Sequence, residues 1–453
     1  MKGDLFSLLE LMNKPLAQLD HFRGAHLERL FRSKISKSQA TGKDGVRINR
    51  FEEVLTAEAA LIERKISEGT YRFTSFKERL ILRGADRSPR QISIPTVRDR
   101  LTLRALCQVL HTHKKETIGA TPHALVRAVA EAIRDGDQSD KAFVRIDVRD
   151  FFPSISHKIL RRELSYFGFA DEICDLCMRA IATPTGSSTE ISAKGVPQGL
   201  SISGALAALY MLRFDKRRRS ENINYFRYVD DILVICRKSQ SDDLLKRIGR
   251  TLRNRGLIIH KKGVAGKTEI SPVDDGIDFL GYRISPAEIS VRSSSFKRMF
   301  RNILKVVTDY RYRRDTDNLI FRLNLKITGC IVDSRRRGWT MFFSHTENLR
   351  QLAHLDAFVM RSLRRVNFPE AQKSQVKKFV KSWHEIRFRF NETGYIPNFD
   401  LYDHEAKARA VSALSRRPLL EILAMDFEEV ERQFSRYISR EVHDLEQDVG
   451  NPS

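Results

Sequence analysis

The sequence predicts an α+β domain, an antiparallel sheet backed by helices, followed by a basic α-helical region. Three observations carry this. Between residues 142 and 284, apolar runs of strand length and segments of helical period alternate as strand, helix, helix, hairpin, helix, strand. After Val291 the pattern is almost wholly helical and strongly basic to about residue 380. A length of 453 residues with 41% hydrophobic content allows roughly two to four structural units with buried cores.

The elements follow in order. Residues 1–70 read as helices, one of them from Phe51 to Ile66 with Val54, Leu55, Ala59, Leu61 and Ile62 on its apolar period. The turn-rich run Thr41-Gly42-Lys43-Asp44-Gly45-Val46 lies between them. Arg79 to Leu82 and Gln91 to Pro95 read as a hairpin joined through Gly84 to Pro89, and Arg98 to His113 as a helix. Residues 142–148 form a strand that ends at an acidic residue, and 157–180 are helical. Gly195-Val196-Pro197-Gln198-Gly199 opens an apolar helix to Leu212. Asn224 to Tyr228 and Ile232 to Cys236 form a hairpin with Asp230 and Asp231 at its turn. A helix from Asp242 to Arg255 and short strands through Ile284 follow. The tail, 381–453, mixes a turn-rich stretch from Asn391 to Pro397 with two further helices.

Charge narrows the function classes. There are 80 Lys and Arg against 57 Asp and Glu, a net charge of +23, which points to a polyanionic partner, nucleic acid being the commonest. A membrane-surface protein would need an amphipathic helix or a lipid signal, and neither is visible. Apolar runs such as Ala205 to Leu212 fall well short of the roughly 20 residues of a membrane span. The N-terminus shows no basic-then-apolar signal pattern. Five cysteines imply no disulfide framework, and the lone Cys174/Cys177 pair reads as one helix face. A cytoplasmic, reducing setting without a membrane is therefore expected.

The carboxylates carry the chemistry. Asp147 ends the strand Ala142 to Val148, and Asp230 and Asp231 sit at a hairpin tip. Alone, an Asp-Asp pair is an ordinary solvated turn. Two adjacent anions at the end of an apolar strand repel, and a bound cation offsets that cost. Magnesium takes such oxygen ligands while keeping several waters.

Three ordered runs give these residues a context. Val144-Arg145-Ile146-Asp147-Val148-Arg149-Asp150-Phe151-Phe152-Pro153, Gly195 to Ser203, and Phe226-Arg227-Tyr228-Val229-Asp230-Asp231 resemble the first three palm motifs of reverse transcriptases, in the family's order. Thr41 to Val46 and Ile92 to Arg100 look like the fingers of group II intron-type enzymes. Gly266-Lys267-Thr268 looks like the fourth motif, and Asp278-Phe279-Leu280-Gly281-Tyr282 like the primer grip.

The resemblance implies a right-hand polymerase: an N-terminal extension at 1–40, fingers and palm at 41–285, a helical basic thumb at 286–380 and a C-terminal extension at 381–453. It implies two Mg2+ ions, or Mn2+ in their place, held by Asp147, Asp230, Asp231 and the carbonyl of Val148, with one ion activating a 3′-hydroxyl and the other holding the triphosphate. Lys267 would be the proton donor to pyrophosphate; its other reading is a surface lysine. Arg83, Arg90, Phe152, Gln198 and Gly199 would bind the dNTP, Phe152 excluding the 2′-hydroxyl. On the residues alone Phe152 is equally a core phenylalanine. Phe279, Leu280 and Gly281 would hold the primer or, read plainly, form a core strand. Arg298, Arg301, Lys305 and Arg311 with Arg335, Arg336 and Arg337 would track a nucleic-acid backbone. His111, His113 and His260 show no ligand constellation.

Within the family the runs look most like defence-associated, abortive-infection-related bacterial enzymes. The tail lacks cysteine, unlike a Cys/His-rich intron endonuclease module, and the Val-Thr-Gly signature of retron enzymes is not found. The expected function is RNA-directed DNA synthesis, making cDNA from a dedicated noncoding RNA in phage defence. A group II intron or retron enzyme is the alternative, and a non-catalytic maturase-like RNA-binding module is the alternative of another class. Oligomeric state, and any partner protein, stay open.

Overall fold

The computed structural model describes residues 18–36, 38, 40–82, 89–188, 192–221, 223–263 and 267–449. In chain order these fold into α1 (Gly24–Lys34), α2 (Ile48–Glu52), α3 (Leu55–Ser67), β1 (Lys77–Ile81), β2 (Arg90–Ile94), α4 (Val97–His113), α5 (Pro122–Arg134), β3 (Lys141–Asp147), α6 (Phe151–Ser154), α7 (His157–Tyr166), α8 (Asp171–Ala182) and α9 (Ser203–Arg219). Next come β4 (Asn224–Tyr228), β5 (Asp231–Arg237), α10 (Ser241–Arg253), β6 (Glu269–Pro272), β7 (Ile277–Phe279), β8 (Tyr282–Ile284) and β9 (Ile289–Val291). The rest is α11 (Ser293–Arg313), α12 (Thr316–Thr328), β10 (Cys330–Val332), β11 (Arg335–Arg337), α13 (Trp339–Phe342), α14 (Leu349–Arg365), α15 (Phe379–Phe388), α16 (His404–Ser415), α17 (Leu419–Leu423) and α18 (Phe427–Val449). This is the expected α+β class. No helix of the described residues is long and apolar enough to cross a membrane.

The chain divides into two compact units. One holds the described residues up to Thr121 together with Ala142–Ser271; the other holds Pro122–Lys141 and the described residues from Pro272 on.

In the first unit a four-stranded sheet has the order β4-β5-β3-β6. Its inner strand β3 is buried at Ala142 through Ile146. Such a strand must be apolar on both faces, as the near-continuous run Ala142-Phe143-Val144 shows. Helix α9 is buried almost all round, through Leu206, Leu209, Tyr210 and Phe214. Helix α4 starts at Thr96, whose hydroxyl accepts from the Asp99 amide at 3.2 Å. The buried Asp99 carboxylate in turn accepts from Tyr71 Oη at 2.8 Å and the Thr74 amide at 3.0 Å.

Some local expectations shift. The helix expected over Phe51 to Ile66 is two helices, because Val54 leaves helical dihedrals (φ −115°, ψ 15°) and is 48% exposed. Val54 therefore drops out of the apolar period, while Leu55, Ala59 and Ile62 are buried as expected. The stretch 157–180 is also broken: the amides of Gly168 and Phe169 turn back onto the carbonyls of Ser165 and Leu164 at 3.0 and 3.2 Å and end α7. Cys174 and Cys177 are buried free thiols of α8.

In the second unit β7, β8 and β9 form an antiparallel sheet. The region after Val291 is not continuously helical. Arg335, Arg336 and Arg337 form a strand paired with Cys330–Val332. Gly329 and Gly338 close that hairpin: a Cβ on Gly338 would sit 2.5 Å from the Gly329 Cα. Where two further helices were expected in the tail, α16, α17 and α18 occur.

Candidate active site

Strands β4 and β5 are antiparallel with Tyr228 opposite Asp231, so their turn is the two-residue loop Val229-Asp230. Asp231 is thus the first residue of β5, not part of the turn. Such tight turns require positive φ, usually met by glycine or asparagine. Here Val229 meets it at φ 55°, a strained conformation for a β-branched residue. Arg227 holds the turn: its Nη1 donates to the Val229 carbonyl at 2.8 Å, and its Nε to Asp215 Oδ1 at 2.8 Å. Tyr225 Oη donates to the same Oδ1 at 2.7 Å.

The turn reaches the end of β3, where the Val148 amide donates to the Asp230 carbonyl at 3.4 Å. Asp147 and Asp230 thereby come to one sheet edge from strands remote in sequence. Burial, then Asp147 and Asp231, push the Asp230 carboxyl above its ordinary range. On Asp231 burial pushes up and Arg145 opposes it, with burial the larger effect. Arg145 Nε and Nη2 donate to the two Asp231 oxygens at 3.2 and 2.9 Å.

Asp147 Oδ2 accepts from Lys267 Nζ at 2.9 Å and lies 3.1 Å from His260 Nε2. The His260 amide donates to the Asp147 carbonyl at 3.0 Å. So His260, given no part from sequence, adjoins a central carboxylate. It stands 113 residues downstream, in a loop no motif marks. Arg145 and Arg227 were also unassigned. Both carried a signal, a charged residue inside an otherwise apolar strand, since a buried charge needs a partner.

The residues expected around the nucleotide form a second edge. The Val196 amide donates to the Phe152 carbonyl at 2.9 Å, and the Phe152 ring is half-buried against the core, edge-on to Phe151 at 5.6 Å. The Ser93 amide of β2 donates to the Gln198 carbonyl at 2.7 Å, while Arg90 Nε donates to Gln198 Oε1. Gly199 has φ 106°, and a Cβ there would sit 2.6 Å from the Ser93 oxygen. Only glycine permits this approach. Arg83 lies outside the described residues, as does Gly266.

In the second unit Phe279 and Leu280 are buried to within 1%. Their side chains build the core, and only the turn backbone after β7 is left to meet a strand. On α11, Arg301, Lys305 and Arg311 are exposed and Arg298 is half-buried. Arg337 is paired with Glu446, and the Arg336 guanidinium lies 3.6 Å from the Phe390 ring centroid.

The donor set fits a hard divalent cation in its chemistry: carboxylates crowd one edge, and Asp147 helps push both Asp230 and Asp231 up. Among the described residues, no three His, Cys, Asp or Glu side chains already stand in metal-binding geometry. Lys267 and His260 lie where a cation would be drawn to Asp147.

The sequence comparison falls on the same part of the chain as this sheet and its acidic strand ends. Residues 82–284 match the family model described as reverse transcriptase (RNA-dependent DNA polymerase). That segment, somewhat under half of the chain, is therefore similar to a reverse transcriptase domain. No curated protein matches the sequence. Among solved structures, telomerase from Candida albicans in complex with a TWJ fragment of telomeric RNA is similar at 13% identity and TM-score 0.39, over 84% of this chain and 66% of that one. Apo telomerase from Candida tropicalis is similar at 12% identity and TM-score 0.38, over 80% of this chain and 69% of that one. A form of it truncated from the C-terminal domain gives 14% identity and TM-score 0.35, over 49% and 55%. The chain thus spans just under two thirds of the Candida albicans protein's length.

Proposed function

We propose that this protein copies an RNA template into cDNA from dNTPs by two-metal nucleotidyl transfer at the Asp147–Asp230 edge. The observation that supports this most is that edge itself: a strand end and a strained turn tied by the Val148 amide to the Asp230 carbonyl at 3.4 Å, inside the matched domain. In this reading Asp147 and Asp230, with the Val148 carbonyl, hold the cations. When bound there, two divalent ions would lower the pKa of the attacking 3′-hydroxyl and neutralise the triphosphate.

The chain's own residues do the rest. Arg227 keeps the turn in the one conformation that presents Asp230. Gln198, itself gripped by Arg90 and Ser93, and Gly199 form the floor under the new base pair. Phe152 bars a 2′-hydroxyl. Lys267 leaves Asp147 to protonate pyrophosphate as it departs. Arg298, Arg301, Lys305 and Arg311 hold the duplex backbone without reading sequence. A non-catalytic RNA-binding module has no use for carboxylates held at such cost, and Asp147, Asp230 and Asp231 are all present.

Substituting Asp147→Asn and, separately, Asp230→Asn is expected to abolish divalent-dependent dNTP incorporation while leaving the thermal transition and RNA binding in place. Full incorporation by either variant sinks the reading. The setting we propose, phage restriction with a dedicated noncoding RNA as template, rests on the resemblance of the palm runs to defence-type enzymes. Sequencing the co-purifying RNA and the DNA made from it tests that setting; intron sequence in that RNA would replace it.

A further inference from the structure

Asp231 sits beside Asp230 in sequence, yet its environment differs. Both of its oxygens are taken by one guanidinium, Arg145 Nε to Oδ1 at 3.2 Å and Nη2 to Oδ2 at 2.9 Å. The two side chains are 3% and 9% exposed. Arg145 lies two residues before Asp147 on β3, so both point to the same face of the strand. Asp231 is the first residue of the neighbouring strand β5. The pair therefore bridges the two strands that deliver Asp147 and Asp230.

A bidentate Arg–carboxylate pair is the strongest and most directional of side-chain ion pairs. Opening it in a buried site strands two charges away from water, which is costly. Magnesium gives little in return, because it is satisfied by one or two carboxylates, waters and substrate phosphates. Nothing in that balance draws Asp231 off Arg145.

We infer that Arg145 is a positioning residue: it takes Asp231 out of the ion-binding set and makes it a brace between β3 and β5, which sets the separation of Asp147 and Asp230 and leaves those two to carry the divalent ions. The inference rests on the proposed function and sharpens it, since it removes one of the three expected ligands. It also gives the Arg in Val144-Arg145-Ile146-Asp147 a task that no motif assigns.

The test uses the full chain and Mn2+ alone, followed by calorimetry and by the electron paramagnetic signal of the free ion, with steady-state dNTP incorporation beside it. Asp231→Asn keeps the shape and loses the charge; it is expected to bind Mn2+ with affinity within roughly threefold of the parent, where Asp230→Asn weakens binding by about tenfold or more. Arg145→Met frees the Asp231 carboxylate; it is expected to lower kcat by roughly 10- to 100-fold with a smaller change in KM for dNTP. Arg145→Met combined with Asp231→Leu removes both charges, so no buried ion is left unpaired. It is expected to recover at least about tenfold of the lost kcat, and to bind Mn2+ like the parent. This double variant also carries the Mn2+ test if Asp231→Asn fails to fold.

Equal loss of Mn2+ affinity in Asp231→Asn and Asp230→Asn overturns the inference and restores Asp231 as a ligand. So does a double variant that folds but recovers neither kcat nor Mn2+ binding. Failure of the proposed function looks different: Asp147→Asn and Asp230→Asn then both bind Mn2+ undiminished, and the brace loses its purpose with it.

Discussion

Arg227 Nη1 donates to the carbonyl oxygen of Val229 at 2.8 Å, two residues along the chain and at a non-glycine turn position with φ 55°. The same guanidinium is bound to the buried Asp215. A strained turn of this kind persists only when its surroundings over-determine it. Arg227→Met would remove the anchor and strand Asp215 without a counter-charge. The expected cost is about 3–5 kcal/mol of stability, read from the urea midpoint, with loss of incorporation beyond what the unfolded fraction explains. Arg227→Lys keeps the charge and is expected to cost less than half as much.

Gly199 presses against β2. A Cβ there would meet the Ser93 oxygen at 2.6 Å and Ile92 Cγ2 at 2.8 Å, and φ is 106°. Gly199→Ala is therefore expected to push the 195–199 loop off β2, at a cost of about 1–3 kcal/mol. Because Gln198 is held by the same strand, KM for dNTP should rise more than kcat falls. Unchanged KM and stability together would show that the loop has room the backbone does not suggest.

Phe152 is half-buried, with its carbonyl tied to Val196. Phe152→Val shortens the ring side chain and leaves that backbone bond intact. Incorporation of rNTPs relative to dNTPs is expected to rise by about tenfold or more, since one steric clash is worth a few kcal/mol of discrimination. An unaltered ratio would return Phe152 to the core.

His345, in the second unit, stacks on His123 at 4.7 Å. Burial first, then His123, Arg387 and Arg127, push its imidazole down to about 4 from 6.5. Between those values the unfolded chain binds more protons than the folded one, so stability rises with pH across the window. The contribution is complete above pH 6.5 and is lost as pH falls toward about 4. Allowing for solvent screening of a half-buried ring, it amounts to about 1–2 kcal/mol. Unfolding free energy measured from pH 4 to 7 should show this slope, and His345→Gln should flatten it.

Much of the site's outline was legible in the sequence for a physical reason. An apolar strand that stops at a carboxylate, an Asp-Asp after an aromatic strand, and a Pro-Gln-Gly loop opening an apolar helix are local patterns. Local patterns follow from backbone geometry and survive without knowledge of neighbours. Two regions were misread where locality failed. The basic stretch around Arg335 looked helical by charge and period, yet Gly329 and Gly338 pack Cα against backbone and make a hairpin there. The helix counted through Val54 included a residue that faces solvent.

The sequence by itself determined the α+β class, the likeness of residues 82–284 to a reverse transcriptase domain and the acidic ends of its strands, because strand ends, turns and motif order are written along the chain. Only the tertiary structure decided what each carboxylate touches. Asp147 meets Lys267 and His260 from more than a hundred residues away, Asp230 keeps the open turn, and Asp231 is taken by Arg145 across the strand pair. Charges interact through space at a few ångströms, and which charges come that close depends on the packing of the sheet rather than on their order in the chain.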